Sequence, residues 1–134
     1  MTFQKFGRIT AVLVLIGTTP AFADEIRRET VQFARGTSGA TLTSAVKGYA
    51  SVQYSLSVRA DQKMSVQLDT NNSSLYFNIT APGASAALYN SSIDGNGTSV
   101  TIPSSGTYLI DVYLMRNAAR RDETANYTLT LYVE

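Results

Sequence analysis

The 134 residues include no histidine and no cysteine, which removes imidazole bases, thiol nucleophiles, disulfides and zinc sites of the usual His/Cys kind. Eleven Lys/Arg against ten Asp/Glu leave a formal charge of +1, far from the strongly basic balance of a nucleic-acid-binding domain. Whatever holds the fold together has to be its apolar core.

The chain opens with Lys5 and Arg8, followed by Ile9 to Ile16, apolar apart from Thr10, then Pro20 and Ala21-Phe22-Ala23. A positive start, a short apolar run and an A-x-A cleavage site predict a secretory signal peptide over residues 1–23. The run is too short to span a bilayer. Cleavage after Ala23 leaves residues 24–134 as one domain bound for the periplasm, with no membrane attachment. Loss of Lys5 and Arg8 leaves nine Lys/Arg against ten Asp/Glu, a charge of −1. A domain of this size buries roughly 60–70% of its unfolded surface.

From there the sequence alternates with period two, the signature of half-buried strands. Val31-Gln32-Phe33 and Leu42 to Val46 are weak strands on either side of Gly36-Thr37-Ser38-Gly39. Val52, Tyr54, Leu56 and Val58 share one face of the next strand. Met64, Val66 and Leu68 follow the Ala60-Asp61-Gln62 turn, and Leu75, Phe77 and Ile79 stop at Pro82-Gly83. Leu88-Tyr89 is a short strand ending at Asn90-Ser91-Ser92. Val100 and Ile102 run into Pro103-Ser104-Ser105-Gly106, where Pro fixes φ and Gly supplies the left-handed residue of a turn. Tyr108, Ile110, Val112 and Leu114 share a face, as do Tyr127, Leu129, Leu131 and Val133. The predicted fold is all-β, a single antiparallel β-sandwich of about eight short strands. A small closed barrel is the alternative.

Several local patterns mimic functional motifs. Ser44-Ala45-Val46-Lys47 matches S-x-x-K, but that chemistry needs Ser and Lys one helical turn apart. On a strand, positions i and i+3 point to opposite faces, and no S-D-N or K-T-G accompanies it. Asp94-Gly95-Asn96-Gly97 looks like a calcium loop, yet a calcium site wants several converging carboxylates and only Asp94 supplies one; it is predicted to be a Gly-rich β-turn. No catalytic residues, metal ligands or cofactors are expected, and the chain is not expected to be an enzyme. Asn71-Asn72 and Asn90 are read as turn formers. Tyr54, Tyr108 and Tyr127 fall on apolar faces and belong to the core, whereas Tyr49 follows Gly48 at a strand entrance and is a candidate exposed aromatic.

The stretch from Met115 to Tyr127 is the odd one. Its flanking strands read as a pair, but about ten residues separate them, where hairpins usually need about 2–5. Arg116, Arg120 and Arg121 sit in it. One reading is a solvated loop in which Arg120 and Arg121 pair with Asp122 and Glu123, contributing little to stability. The other is a binding tip. If Asn117 to Arg121 forms a helical turn, Arg116 and Arg120 project from the same side, and two guanidinium forks suit a carboxylate-lined cleft.

Lys47-Gly48-Tyr49, Ala60-Asp61-Gln62-Lys63 with the strand Met64 to Leu68, Pro82-Gly83, Ser105-Gly106-Thr107-Tyr108, Arg116-Asn117-Ala118-Ala119-Arg120 and Asn126-Tyr127-Thr128 form a further pattern. Together they resemble the periplasmic inhibitors of g-type (goose-type) lysozyme, over most of residues 31–133. The R-N-x-A-R segment is the most specific part. The strand skeleton also resembles the pre-peptidase C-terminal sandwich domains, modules that would bind glycan or another envelope protein. The first resemblance implies a β-sandwich whose loops block the substrate groove of g-type lysozyme, a protein partner, with Tyr49, Arg116 and Arg120 at the contact face. Asp122 and Glu123 are a departure, because they make the arginine segment less basic.

Overall fold

A computed structural model of the chain describes residues 25–134; the predicted signal peptide over residues 1–23 lies outside them. Nine strands and two short helices follow in order: β1 (Ile26–Thr30), β2 (Gly39–Lys47), β3 (Ser51–Val58), β4 (Lys63–Thr70), β5 (Leu75–Thr80), β6 (Tyr89–Asn90), α1 (Ser91–Asp94), β7 (Gly97–Thr101), β8 (Gly106–Leu114), α2 (Arg116–Arg120) and β9 (Thr124–Val133). They form two sheets, one ordered β2-β9-β4-β7 and the other β1-β3-β8-β5-β6. The architecture is the predicted sandwich.

The period-two faces close against each other as the alternation requires. Val52, Tyr54, Leu56 and Val58 of β3 and Tyr108, Ile110, Val112 and Leu114 of β8 are buried, facing Met64, Val66 and Leu68 of β4 and Tyr127, Leu129, Leu131 and Val133 of β9. Two of the core tyrosines find partners inside: the hydroxyls of Tyr54 and Tyr127 hydrogen-bond across the sandwich at 2.7 Å. Tyr108 donates to the Ser104 carbonyl at 2.7 Å. A buried phenol without such a partner would cost about 1–3 kcal/mol, so the polar tips are satisfied where the rings are needed for packing.

Five local expectations are corrected. The first strand is Ile26–Thr30, not Val31 to Phe33. All five of its residues are exposed, so alternation could not reveal it, while Val31 and Phe33 are apolar because they pack on the core. That strand pairs with β3 in parallel, whereas every other pair is antiparallel. The short strand is Tyr89–Asn90, with Leu88 outside it. Ser91 to Asp94 is a helical turn rather than the end of a strand, so Asp94 closes a helix and only Gly95, at φ 101°, breaks it. Most important, β8 and β9 are not partners. They belong to different sheets, and the arginine connection is a crossover between layers rather than a hairpin tip. Its length follows, since it has to turn the chain from one layer of the sandwich to the other.

Candidate functional site

Register places the site residues at one end of the sandwich. In the five-stranded sheet Val52 pairs with Val112 antiparallel, so the start of β3 and the end of β8 lie together. In the four-stranded sheet Lys47 pairs with Thr124, so the end of β2 and the start of β9 lie together too. Two crossovers therefore run side by side at this end, residues 48–50 from β2 to β3 and residues 115–123 from β8 to β9.

The second crossover folds into the helical turn α2, Arg116–Arg120, one residue earlier than the sequence placed it. Ala118 and Ala119 are buried and anchor the turn on the core, while Arg116, Asn117 and Arg120 are exposed. Small apolar side chains at the two middle positions let the helix sit close, which leaves the long residues on the solvent side. At i and i+4 the two arginines stand roughly 5–6 Å apart at Cβ.

Their charges are unspent. Arg121 donates to Glu123 Oε2 from Nε at 2.9 Å and from Nη2 at 2.6 Å. Glu123 also accepts from the Asn72 side-chain amide at 3.0 Å, and this bond, with Arg121 second, holds its carboxyl below the ordinary value. Asp122 pairs with Lys47. Both acids of the segment are thus engaged by other residues. The pairing of Arg120 with Asp122 allowed by the solvated-loop reading does not form. Among the described residues Arg116 and Arg120 have no ion-pair partner.

Tyr49 is half exposed, at 50%, and lines an open depression with Arg116, Ile26, Ser51, Tyr113 and Leu114. The structure thus brings Tyr49 and Arg116 to one surface, with Arg120 on the next turn outside the depression. Tyr113 and Ile26 escaped the sequence reading. Tyr113 was legible, since alternation points it outward between buried Val112 and Leu114. Ile26 was not, because it reaches the site only through the parallel pairing of β1. Burial pushes the Tyr113 hydroxyl above its ordinary value, although Ser92 and Asn78 pull the other way, so it remains a neutral donor and acceptor. Exposed Ile26 and Met115 add apolar area at the same end. Aromatic, apolar and arginine side chains together are the composition of a protein-binding surface.

The residues of the other motifs have local structural partners. Ser44 and Lys47 lie on β2, where Ser44 accepts from Arg27 and Lys47 turns to Asp122. Asn90 Oδ1 caps α1 by accepting from the Ser92 amide at 3.0 Å, and Asn72 Oδ1 accepts from the Ser74 amide at 2.9 Å, the turn-forming roles expected of them.

No family model matches the sequence. The inhibitor of g-type lysozyme from Escherichia coli K12 is 26% identical over 134 residues, covering 97% of this chain and 98% of that one. The crystal structure of Aeromonas hydrophila PliG, a periplasmic lysozyme inhibitor of g-type lysozyme, superposes with a TM-score of 0.77 at 36% identity, covering 84% of this chain and all of that one. The chain belongs to the family of periplasmic inhibitors of g-type lysozyme. The pre-peptidase C-terminal domain of a Bacillus anthracis collagenase shares the sandwich at a TM-score of 0.54 and 13% identity, a likeness of fold alone. The Arg116-Asn117-Ala118-Ala119-Arg120 segment is the part of this chain that forms α2.

Proposed function

We propose that this chain is a periplasmic inhibitor of g-type lysozyme that uses Tyr49, Arg116 and Arg120 to occupy the enzyme's substrate cleft. The observation that carries the site assignment is the pair of uncompensated guanidinium groups on α2, beside a half-exposed tyrosine. Lysozyme clefts cleave glycan with carboxyl groups. Arginine meets a carboxylate with two parallel N–H donors in a fixed plane, so a guanidinium lodged in such a cleft competes directly with substrate. The crossover supports this by its placement: α2 stands at the end of the sandwich, off the sheet faces, where it can enter a groove. Ala118 and Ala119 hold it rigid from below, which limits the entropy lost on binding.

Inhibition of this kind needs no bond making. The chain acts as a stoichiometric blocker rather than an enzyme, and it needs no cofactor. Export fits the same role, with residues 1–23 removed as a signal peptide and residues 24–134 acting as one domain in the periplasm, where peptidoglycan is exposed to lysozyme. Mass spectrometry of the periplasmic protein is expected to find a chain beginning at Asp24.

The decisive experiment is a lysis assay with g-, c- and i-type lysozymes side by side, using the wild type, Arg116→Ala and Arg120→Ala. Inhibition of the g-type enzyme that both substitutions weaken is the expected result. Full inhibition by both variants would move the contact face elsewhere, and no inhibition by the wild type would favour a sandwich module with another envelope partner.

A further inference from the structure

We infer that Asp122, with Lys47 and Gly48, is a latch that positions Tyr49 against the arginine helix; this rests on the contact face proposed above. Among the described residues Asp122 is one of two non-glycine residues with positive φ, at 58°. It follows the C-cap of α2, Arg121, and its side chain reaches Lys47 at the other crossover rather than Arg116 or Arg120. There the carboxylate pairs with Lys47 and lies over Gly48. Gly48 has φ of 62°, and a Cβ built on it would stand 2.6 Å from Asp122 Oδ1. The close approach therefore requires glycine twice, for its dihedral and for its missing side chain.

Backbone bonds complete the junction. The Gly48 amide donates to the Glu123 carbonyl at 2.9 Å, and the Asp122 amide donates to the Ala119 carbonyl at 2.9 Å. Tyr49 is the next residue after this contact. The β2–β9 ladder brings the two crossovers together at Lys47 and Thr124, and the Gly48–Asp122 contact continues the junction just beyond its end, next to Tyr49.

A surface ion pair adds little to stability, but holding a three-residue loop in its binding geometry reduces the conformational cost of association. This assigns Asp122 a role opposite to that of a negative charge diluting a basic tip. If dilution were its effect, Asp122→Asn would strengthen inhibition of an acidic cleft. A latch makes it weaker. Asparagine tolerates the left-handed backbone, so the substitution removes the charge without the dihedral penalty.

The experiment compares wild type, Lys47→Met, Asp122→Asn and the double variant in inhibition of g-type lysozyme, each with and without Tyr49→Ala, and measures 15N relaxation of the free proteins. Each single variant is expected to lose roughly fivefold in inhibition, the upper range for an exposed pair. The double variant should be no worse than either single, and the loss should vanish once Tyr49 is alanine. In the free protein, order parameters should fall at Gly48 to Ala50 alone, with the melting temperature unchanged. Stronger inhibition by Asp122→Asn, a loss that persists in the Tyr49→Ala background, or unaltered order at residues 48–50 would each overturn the latch. If the wild type inhibits no lysozyme, the functional reading fails while the relaxation measurement still decides the latch.

Discussion

Helices α1 and α2 are both single turns at the same end of the sandwich, but different chemistry holds each in place. In α1 the side chains of Asn90 and Ser91 hold the turn. Asn90 caps its first amides, and the buried Ser91 hydroxyl accepts from the Phe77 amide at 2.7 Å, which binds the turn to β5. Ser92, Ile93 and Asp94 are left exposed, Ile93 at 76%. In α2 the N-cap residue, Met115, makes no side-chain capping bond, and Asn117 Oδ1 accepts only from the Ala118 amide at 2.9 Å. Two buried alanines and the backbone bonds of residues 118 and 119 anchor it instead, so Arg116 and Arg120 have no structural duty. A turn held by its own polar groups has spent its chemistry on folding, whereas a turn held by alanine keeps its charges for a partner.

That contrast predicts that substitutions in α2 change binding and substitutions in α1 change stability. The largest effect should come from Arg116→Ala and Arg120→Ala. Breaking a buried interfacial charge pair costs about 2–5 kcal/mol, or roughly 30- to several-thousand-fold in the inhibition constant. Their melting temperatures should match the wild type, because both side chains lie off the core. Titration against g-type lysozyme beside a thermal melt checks both halves.

Ser91→Ala should show the reverse. It leaves the buried Phe77 amide without an acceptor, a penalty of about 1–3 kcal/mol, which lowers the melting temperature by several degrees, at roughly 4–8 °C per kcal/mol in a domain of this size. The folded fraction should inhibit as well as wild type. An inhibition constant that moved with Ser91 would show that the two helices do not divide their tasks in this way.

A smaller effect is expected at the acid Arg121 holds. Asn72 first, and Arg121 second, keep the Glu123 carboxyl below its ordinary value of 4.5. Its contribution to stability is therefore complete above that value and is lost as pH falls through the lower folded one. Melts of Glu123→Gln and wild type should differ at neutral pH and converge in acid, once pH has fallen through the lowered folded value. Arg121→Ala, which removes one exposed partner of this carboxylate, should barely move the melting temperature and leave inhibition unchanged.

The smallest expected effect is none. Asp94 ends α1, and no group of three metal-binding side chains occurs among the described residues. Melting curves in EDTA and in excess calcium should coincide. A rise of more than a few degrees with calcium would make α1 part of a metal site and end its reading as a purely structural turn.

Much of this molecule was legible before any coordinates. Local alternation is enough to say which side of Val52 to Val58 or of Tyr108 to Leu114 is buried, because successive side chains on a strand must point to opposite faces. The same logic placed Tyr54, Tyr108 and Tyr127 in the core and set Tyr49 apart. The i, i+4 spacing put Arg116 and Arg120 on one side of a turn. Alternation says nothing about which strand lies alongside, since the inner faces of both sheets have the same period. Pairing is decided by contacts distant in sequence. That is why β1, exposed along its length and paired in parallel, left no signal, and why β8 and β9 looked like a hairpin. Only the tertiary structure assigned them to opposite layers, which turned a long loop into a crossover and laid it beside Gly48. Partner choice among charges was settled in the same way. Asp122 and Glu123 are neighbours of the arginines in sequence, but the fold brings Lys47 and Asn72 to them, and so leaves Arg116 and Arg120 free.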